Sequence, residues 1–477
     1  MAGCTAGPAP GPTPPPDRPA PSGTIRLAYP SVPPTLDPVA ELSPAATNIL
    51  RAVLPSFYVV TPDLAYRPYL LDGEPDVRST GDRMSVRFRI RPNARWSDGT
   101  PITVADVAFT AEVMRRAPPM RRVGFDHLRE VVEESPTVGR LELSPPLEDW
   151  RGLFSAGRFV LPAHGRPQGG WKRGPTVAGG PFTVGEMVPG RSVTLERNPM
   201  FFGPTPLARR IEVAFVPDPT TAIQLLREGL VDVVAPMLGV SWGRRLGEVP
   251  GAQSGGTFGP HVMHLVMNAP RLPSVEDRRS VADAVDRGRF VDVVLRDEGA
   301  SSESVVVPEV PGSVPVWARY GRGPPEPADI DGELSLVYVR GELLDLTARY
   351  LQAELRRAGI DLELVPLESD VFWGTFLPEG RFDLAILEVR GGPLADLDPW
   401  AAGWAGDDRT VRSLAGEAAE GDPTALAAAQ RRLAALAVVL PLYQVRTAMG
   451  WREGVTGIQP NPSADGPLWN AWAWGRE

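Results

Sequence analysis

Hydrophobic and polar residues alternate strictly over residues 84–91, and this two-residue period is typical of a strand with one buried face. A turn rich in polar residues, Gly and Pro follows at residues 96–101. Thr103 then stands three residues before Asp106, a spacing that favours the start of a helix because both side chains can bond the free backbone amides there. Apolar residues continue at helical spacing, at Val104, Val107, Ala108, Ala111 and Met114. The sequence therefore predicts a strand, a turn and a capped helix.

Segments with strand and helix patterns keep alternating along the rest of the chain. Helices are predicted after Asp218 and over residues 344–358, and Gly229 and Gly359 provide their ends. Strands are predicted at residues 24–29, 179–184, 192–197, 211–215, 231–234, 265–268, 334–338, 360–364 and 382–387. Repeated strand–helix alternation is typical of the α/β class, which we predict for this chain.

The composition is that of a folded protein with several domains. A length of 477 residues suggests roughly two or three domains. The hydrophobic content is 43% and the charged content 22%, as in globular proteins. A net charge of −9 argues against a nucleic-acid-binding surface. Lys172 is the only lysine, which excludes a P-loop lysine and leaves almost no candidate for a Schiff base.

Cys4 is the only cysteine, so we expect no internal disulfide and no cysteine-based metal site. It follows Ala2 and Gly3 and precedes a proline-rich run at residues 8–21. This arrangement resembles a bacterial lipoprotein of the actinobacterial type, whose N-terminal cysteine is lipidated and followed by a tether. We expect Cys4 to be lipidated, Met1 to be a misplaced start, and the protein to be anchored outside the cytoplasm on the cell membrane. The alternative is an ordinary exposed cysteine.

Several short motifs occur in an order that resembles one protein family. The first stretch reads W-S-D-G-T-P-I-T-V-A-D-V-A-F-T over residues 96–110. Others are T-L-D-P at 35–38, G-G-P-F at 179–182, L-E-R-N-P at 195–199 and R-R-S-V-A-D-A-V-D-R at 278–287. In this order they resemble the family 5 extracellular solute-binding proteins, the peptide and nickel class that serves ABC importers.

The resemblance implies a two-lobed α/β fold like that of type II periplasmic binding proteins, with an extra subdomain inserted in the first lobe. Solute would bind between the lobes, which close by a hinge motion. The implied division is a lipoprotein N-terminus and tether at 1–22, a first lobe at 23–55, 179–260 and 441–477, an inserted subdomain at 56–178, and a second lobe at 261–440.

Two patterns could indicate catalysis or metal binding. Residues 239–243 fit G-x-S-x-G, the nucleophile elbow of serine hydrolases, with Ser241 as the nucleophile. His261 and His264 follow too closely for the layout of such enzymes, so we interpret Ser241 as a helix cap. If this segment is a strand, the two imidazole rings point to opposite faces, which no single metal ion accepts. We therefore expect no enzyme activity, no metal site and no cofactor.

The resemblance also implies that an acid captures the ammonium group of a bound peptide just before a D-P turn. Residues 398–399 match that turn, and Asp396 is the nearest acid, although it could equally be a solvated turn residue. Arg390 lies where relatives carry an aromatic residue and could instead bind an anion. Trp400 and Trp404 could stack on a solute or pack in the core. The predicted ligand-binding residues, four from this region and two from strand ends, are Asp396, Arg390, Trp404, Trp400, Ser31 and Asn268.

Together these features predict an extracytoplasmic receptor of an ABC importer. It would capture oligopeptides or dipeptides as a monomer and deliver them to permease subunits in the membrane, with no nucleic-acid partner. Three alternatives stay open. The same fold could bind a metal chelate, an anionic solute or a sugar-like solute; it could act as a sensor; or the chain could be a serine hydrolase that uses Ser241.

Overall fold

The computed structural model describes most of the chain after residue 22. The described residues are 23–40, 43–117, 122, 124–147, 149–165, 170–237, 241–308, 310–321, 330, 332–368, 371–377, 379–390, 397, 408–419 and 422–477.

Strands and helices alternate in these ranges, as predicted for an α/β protein. The strands are β1 (Thr24–Tyr29), β2 (Tyr58–Val60), β3 (Tyr66–Pro68), β4 (Asp76–Thr80), β5 (Arg83–Arg89), β6 (Leu128–Ser135), β7 (Val138–Leu143), β8 (Phe182–Val188), β9 (Ser192–Arg197), β10 (Arg210–Phe215), β11 (Val233–Val234), β12 (Ala252–Met267), β13 (Gly299–Ser301), β14 (Glu333–Val339), β15 (Asp361–Leu367), β16 (Leu384–Arg390), β17 (Val439–Arg452), β18 (Val455–Thr456) and β19 (Gly475–Arg476). The helices are α1 (Pro44–Arg51), α2 (Val104–Arg115), α3 (Pro219–Arg227), α4 (Trp242–Gly247), α5 (Val275–Asp283), α6 (Arg287–Phe290), α7 (Glu342–Arg357), α8 (Arg409–Ala419) and α9 (Pro423–Leu436). Within the described ranges, no helix has both the length and the apolar character needed to cross a bilayer.

One large sheet runs through the molecule in the order β15-β14-β16-β12-β17-β11-β1-β10-β9-β8. Its middle consists of two long antiparallel strands, β12 and β17, which we call the central ribbon. The first half of β12 pairs with the second half of β17, from Ala252 opposite Arg452 to Phe258 opposite Arg446. The register then shifts between Phe258 and Val262 and again between Met263 and His264, and pairing continues to Val266 opposite Val439. The second half of β12 also pairs with β16, so the ribbon connects the two ends of the sheet.

The buried apolar residues form two large clusters, and the ribbon contributes to both. One cluster draws its residues from the chain between Val262 and Val445. The other draws its residues from the chain between Ile25 and Ala235 and from Met449 onward. The molecule is therefore two-lobed. The first lobe contains β1, β8–β11, the inserted sheet and the C-terminal segment, and the second contains β14–β16 and the helices around them.

Strand β12 starts well before the strand predicted at 265–268. The glycines at 255, 256 and 259 hide the strand pattern in the sequence, because they lack the side chains that would give it a period. Gly256 is required by close packing: a Cβ atom there would lie 2.3 Å from the carbonyl oxygen of Thr447 in β17. Pairing with β17 therefore forms a strand that local sequence does not signal.

An antiparallel sheet in the order β4-β5-β7-β6 forms the subdomain inserted in the first lobe. The predicted alternating strand is β5, and the predicted capped helix is α2. Asp106 is 4% exposed, and its carboxylate accepts hydrogen bonds from the Thr103 amide (2.9 Å), the Trp96 indole (3.2 Å) and the Ala163 amide (2.9 Å). The buried carboxylate of Asp106 thus joins the turn, helix α2 and the distant segment at Ala163. These hydrogen bonds explain why Trp96, Thr103 and Asp106 occur together in this stretch.

Arg287, the last residue of the A-V-D-R motif, joins several segments of the second lobe. Its side chain is 5% exposed at the start of α6. The guanidinium group donates to the carboxylate of Glu303 at 3.2 Å. It also donates to four backbone carbonyls, those of Ser302, Pro441, Trp317 and Tyr320. A planar cation with five donors suits such a junction, where lysine would satisfy fewer acceptors.

Candidate functional site

A cavity of about 420 Å³ lies between the two lobes, against the central ribbon. The first lobe contributes the start of α4, and the ribbon forms one wall. The second lobe contributes residues 295–298, which precede β13. The lining residues are Ser241, Gly243, Arg244, Ser254, Gly255, Gly256, Leu295, Arg296, Glu298, Arg446 and Ala448. The cavity is thus shared by both lobes, and a bound molecule would contact each of them.

The cavity carries more positive than negative charge, with three arginines and one glutamate in its lining. Arg244 pairs with Glu248, the residue that follows its own helix, at 3.1 Å. Arg446 donates from Nε to the carbonyl oxygen of Gly256 at 3.1 Å. Among the described residues, no acid lies within ion-pair distance of the Arg296 or Arg446 guanidinium group. Two unneutralised cations facing one cavity favour an anionic group on the bound molecule.

Ser241 precedes α4 but does not cap it, so that prediction is wrong. Its backbone is left-handed, with φ of +57°, and its side chain makes no capping hydrogen bond. A capping residue is normally extended, because only then does its side chain reach the first helix amides. Instead, Glu298 of the second lobe accepts a hydrogen bond from the Arg244 amide at 2.6 Å.

The two histidines considered with Ser241 are engaged elsewhere, and neither lines the cavity. The Nδ1 atom of His261 lies 2.8 Å from Glu388, and its Nε2 atom lies 3.3 Å from the carbonyl oxygen of Pro462. His264 is fully buried in β12, with Nε2 3.2 Å from the carbonyl oxygen of Val305. Burial lowers the pKa of His264 to about 3, so its ring is neutral at physiological pH. Within the described ranges, no group of acids, histidines or cysteines has the arrangement of a metal site.

The structure locates only part of the predicted ligand-binding set. Asp396, Trp400, Trp404 and the predicted lipidation site Cys4 lie outside the described residues. Arg390 is the last residue of β16, opposite His261 in register.

Ser31 and Asn268 lie in different settings. Ser31 is exposed just after β1, at the edge of the sheet where the parallel strand β11 also ends. Asn268 is 2% exposed, and its amide nitrogen donates to the carbonyls of Gly380 (3.0 Å) and Phe382 (2.8 Å). The structure therefore gives Asn268 a role inside the second lobe, and its predicted contact with solute stays a prediction.

The charged residues of the cavity were not among the predicted ones. Arg446 is the one that sequence could have indicated, because it interrupts the apolar run of β17. Arg296 and Glu298 sit in a short polar stretch without a recognisable pattern. Arg296 also has φ of +52°, a backbone conformation that sequence does not suggest for arginine.

Two lobes joined by a ribbon, with a cavity between them, are the architecture of the two-lobed solute-binding proteins. The chain belongs to the bacterial extracellular solute-binding proteins, family 5, whose model for the middle region matches residues 59–409. The predicted family and the predicted two-lobed α/β fold are thus confirmed.

Three known proteins illustrate the similarity. The chain is 27% identical over 355 residues to the probable monoacyl phosphatidylinositol tetramannoside-binding protein LpqW of Mycobacterium tuberculosis (strain CDC 1551 / Oshkosh). This match covers 66% of the chain and 54% of LpqW, so the chain spans about half the length of this curated relative.

Two solved structures share the fold over nearly the whole chain. The periplasmic EDTA-binding protein EppA superimposes with a TM-score of 0.85 at 22% identity, covering 96% of this chain and 97% of EppA. The oligopeptide-binding protein AppA of Bacillus subtilis, in complex with a nonapeptide, superimposes with a TM-score of 0.79 at 16% identity, covering 96% of this chain and 100% of AppA.

Proposed function

We propose that this protein is the extracytoplasmic receptor of an ABC importer and captures a solute with an acidic group, most simply a short peptide, between its lobes. The observation that carries the proposal is the cavity shared by both lobes, where no acid among the described residues lies within ion-pair distance of Arg296 or Arg446. A peptide ends in a carboxylate, which a guanidinium group binds through charge-assisted hydrogen bonds. Peptide binding in AppA supports this choice.

Capture would shift the molecule toward its closed form. Arg296 belongs to the second lobe, whereas Arg446 belongs to the ribbon that joins the lobes. A solute that contacts both binds the closed arrangement better than the open one, and so raises its population. The membrane permease would recognise this closed form, and the solute would thereby trigger its own delivery.

An acidic solute that is not a peptide is the second candidate. The same two arginines favour it, since their charge recognises an anion whatever molecule carries it. EppA, which shares the fold, is an EDTA-binding protein, and EDTA is a polycarboxylate.

The first experiment is native mass spectrometry of the full chain purified without denaturation from a bacterial host. Bound masses that fit short peptides would support the peptide proposal, and one discrete other mass would support the second candidate. The identified solute is then titrated against Arg296→Ala and Arg446→Ala by calorimetry. We expect each substitution to weaken binding by roughly tenfold to a hundredfold, because each removes a charged hydrogen-bond donor.

Arg245→Ala is the matched control, because Arg245 lies on α4 outside the cavity and donates to Thr220 at 3.2 Å. The affinity of the Arg245→Ala variant for the solute should equal that of the unmodified protein. Unchanged affinity in both cavity variants would refute the assignment of the site. Deletion of the gene should abolish uptake of the solute, whereas binding without any effect on uptake would indicate a sensor.

We also propose that Cys4 anchors the protein through a lipid, which agrees with a family of extracellular proteins. The intact mass of the protein isolated from its native membrane should equal that of the polypeptide beginning at Cys4, with a diacylglyceryl group on the Cys4 sulfur and a fatty acyl group on its α-amino nitrogen. Cys4→Ser should release the protein into the medium. An unmodified cysteine in the native protein would contradict the proposal.

A further inference from the structure

One hydrogen bond between the lobes joins groups that are 54 residues apart in sequence. Glu298 of the second lobe accepts it through Oε1 from the backbone amide of Arg244 in the first lobe, at 2.6 Å. Glu298 directly precedes β13, which pairs with β17 of the central ribbon. Arg244 lies in the first turn of α4, whose apolar side chains pack in the first lobe. Each partner is therefore held firmly by its own side of the cavity.

The first lobe leaves this amide available. Amides in the first turn of a helix have no partner within the helix. The residue that would normally satisfy them, Ser241, has a left-handed backbone and makes no capping bond. A carboxylate bonded to such an amide gains from the charge and from the orientation of the helix peptides. Glu298 of the second lobe thus supplies the hydrogen-bond acceptor that Ser241 does not provide.

The approach of Glu298 also depends on Gly243. A Cβ atom at this position would lie 3.3 Å from Oε1 of Glu298, which is tighter than most contacts of a real Cβ. On the other side, the turn that delivers Glu298 includes Arg296 with its positive φ, an unfavourable conformation for a residue with a side chain. The small residue Gly243 in the first lobe and the strained turn in the second lobe together place the Glu298 carboxylate at the Arg244 amide.

We propose that Glu298 is an interlobe latch that favours the closed arrangement of the lobes in the absence of solute. Opening the cavity separates Glu298 from Arg244, and both groups must then bond to water. A hydrogen bond to a charged group changes an equilibrium by roughly tenfold or more. Loss of the carboxylate should therefore raise the open-to-closed ratio of the solute-free protein by about tenfold. The latch depends on the contact between the lobes and not on which solute the cavity binds.

The test measures the distance between spin labels on the two lobes by pulsed electron paramagnetic resonance. The labels are attached to Val77→Cys in the inserted sheet and Leu346→Cys on α7, in the full chain carrying Cys4→Ser. Both sites are accessible, with 41% and 39% exposure respectively. Native mass spectrometry first verifies that dialysis has removed any bound solute.

With Glu298 present, we expect both a short and a long distance in the solute-free protein, because the latch favours the closed arrangement and solute then raises its population further. Glu298→Ala should lower the ratio of short to long distances by about tenfold. Glu298→Gln, which keeps a neutral acceptor, should give an intermediate result. Glu248→Ala is the matched control, since Glu248 is the acid directly after α4 and pairs with the Arg244 side chain inside the first lobe. It should reproduce the unmodified distribution.

Two results would overturn the latch: an unchanged distribution in Glu298→Ala, or an unmodified solute-free protein without any short-distance population. Circular dichroism of each variant verifies that the fold is intact. Because no solute is used, failure of the latch leaves the proposed receptor function standing, and solute binding is tested separately.

Discussion

Replacing Arg287 with methionine should lower the free energy of unfolding by about 3–5 kcal/mol. The substitution keeps much of the side-chain volume but removes all donors. Four buried carbonyl groups and the Glu303 carboxylate then lose their partner. Each buried acceptor left without a donor costs free energy, and the acceptors come from segments that are distant in sequence. Urea denaturation followed by circular dichroism measures the change.

Arg289→Met is the control for this substitution. Arg289 lies two residues further along α6, and its side chain is exposed. We expect its free energy of unfolding to change by less than about 0.5 kcal/mol. Similar losses in both variants would mean that Arg287 does not hold the second lobe together.

Replacing Asp106 with alanine should cost about 3 kcal/mol and should affect the first lobe. The substitution leaves the backbone amides of Thr103 and Ala163 and the buried Trp96 indole without their acceptor. Asp106→Asn keeps one oxygen but turns its amide hydrogens toward a donor, so it should cost roughly half as much. Hydrogen exchange measured by mass spectrometry should show faster exchange around residues 96–110 and 160–163.

Glu112→Ala on the same helix is the matched control for Asp106. Its carboxylate is exposed and pairs with Arg116 at 2.9 Å, an interaction of little weight in solvent. We expect neither its stability nor its exchange pattern to change measurably. An Asp106→Ala protein as stable as the unmodified one would show that Asp106 does not stabilise the fold around residues 96–110.

Local patterns in the sequence predicted much of the fold. The alternating residues of β5, the Thr103–Asp106 cap and the Asp218 cap of α3 are all short-range signals, and the structure contains each element. Strand β12 was predicted only in part, since its glycine-rich half becomes a strand by pairing with β17. The order of short motifs identified the family because it samples the whole chain.

The cavity could not be predicted in the same way. Glu298 meets Arg244 across 54 residues, and Arg446 approaches Gly256 across 190 residues. No local sequence pattern predicts contacts between residues so far apart in the chain. The prediction for Ser241 failed because the backbone of Ser241 is left-handed, a conformation that its sequence does not suggest. Asp396, Trp400 and Trp404 remain predictions, since they lie outside the described residues.

The central ribbon determines which movements the lobes can make. Its strands shift register between Phe258 and Val262 and again between Met263 and His264, so the ribbon can bend over this stretch while the pairing on either side of it stays in register. Strands in fixed register cannot slide along one another without breaking every pair. The ribbon therefore keeps a constant length, so the lobes can rotate relative to each other but cannot slide along the strands. Each time the lobes close, the same residues therefore face each other across the cavity. The geometry offered to a bound molecule is the same in every closure.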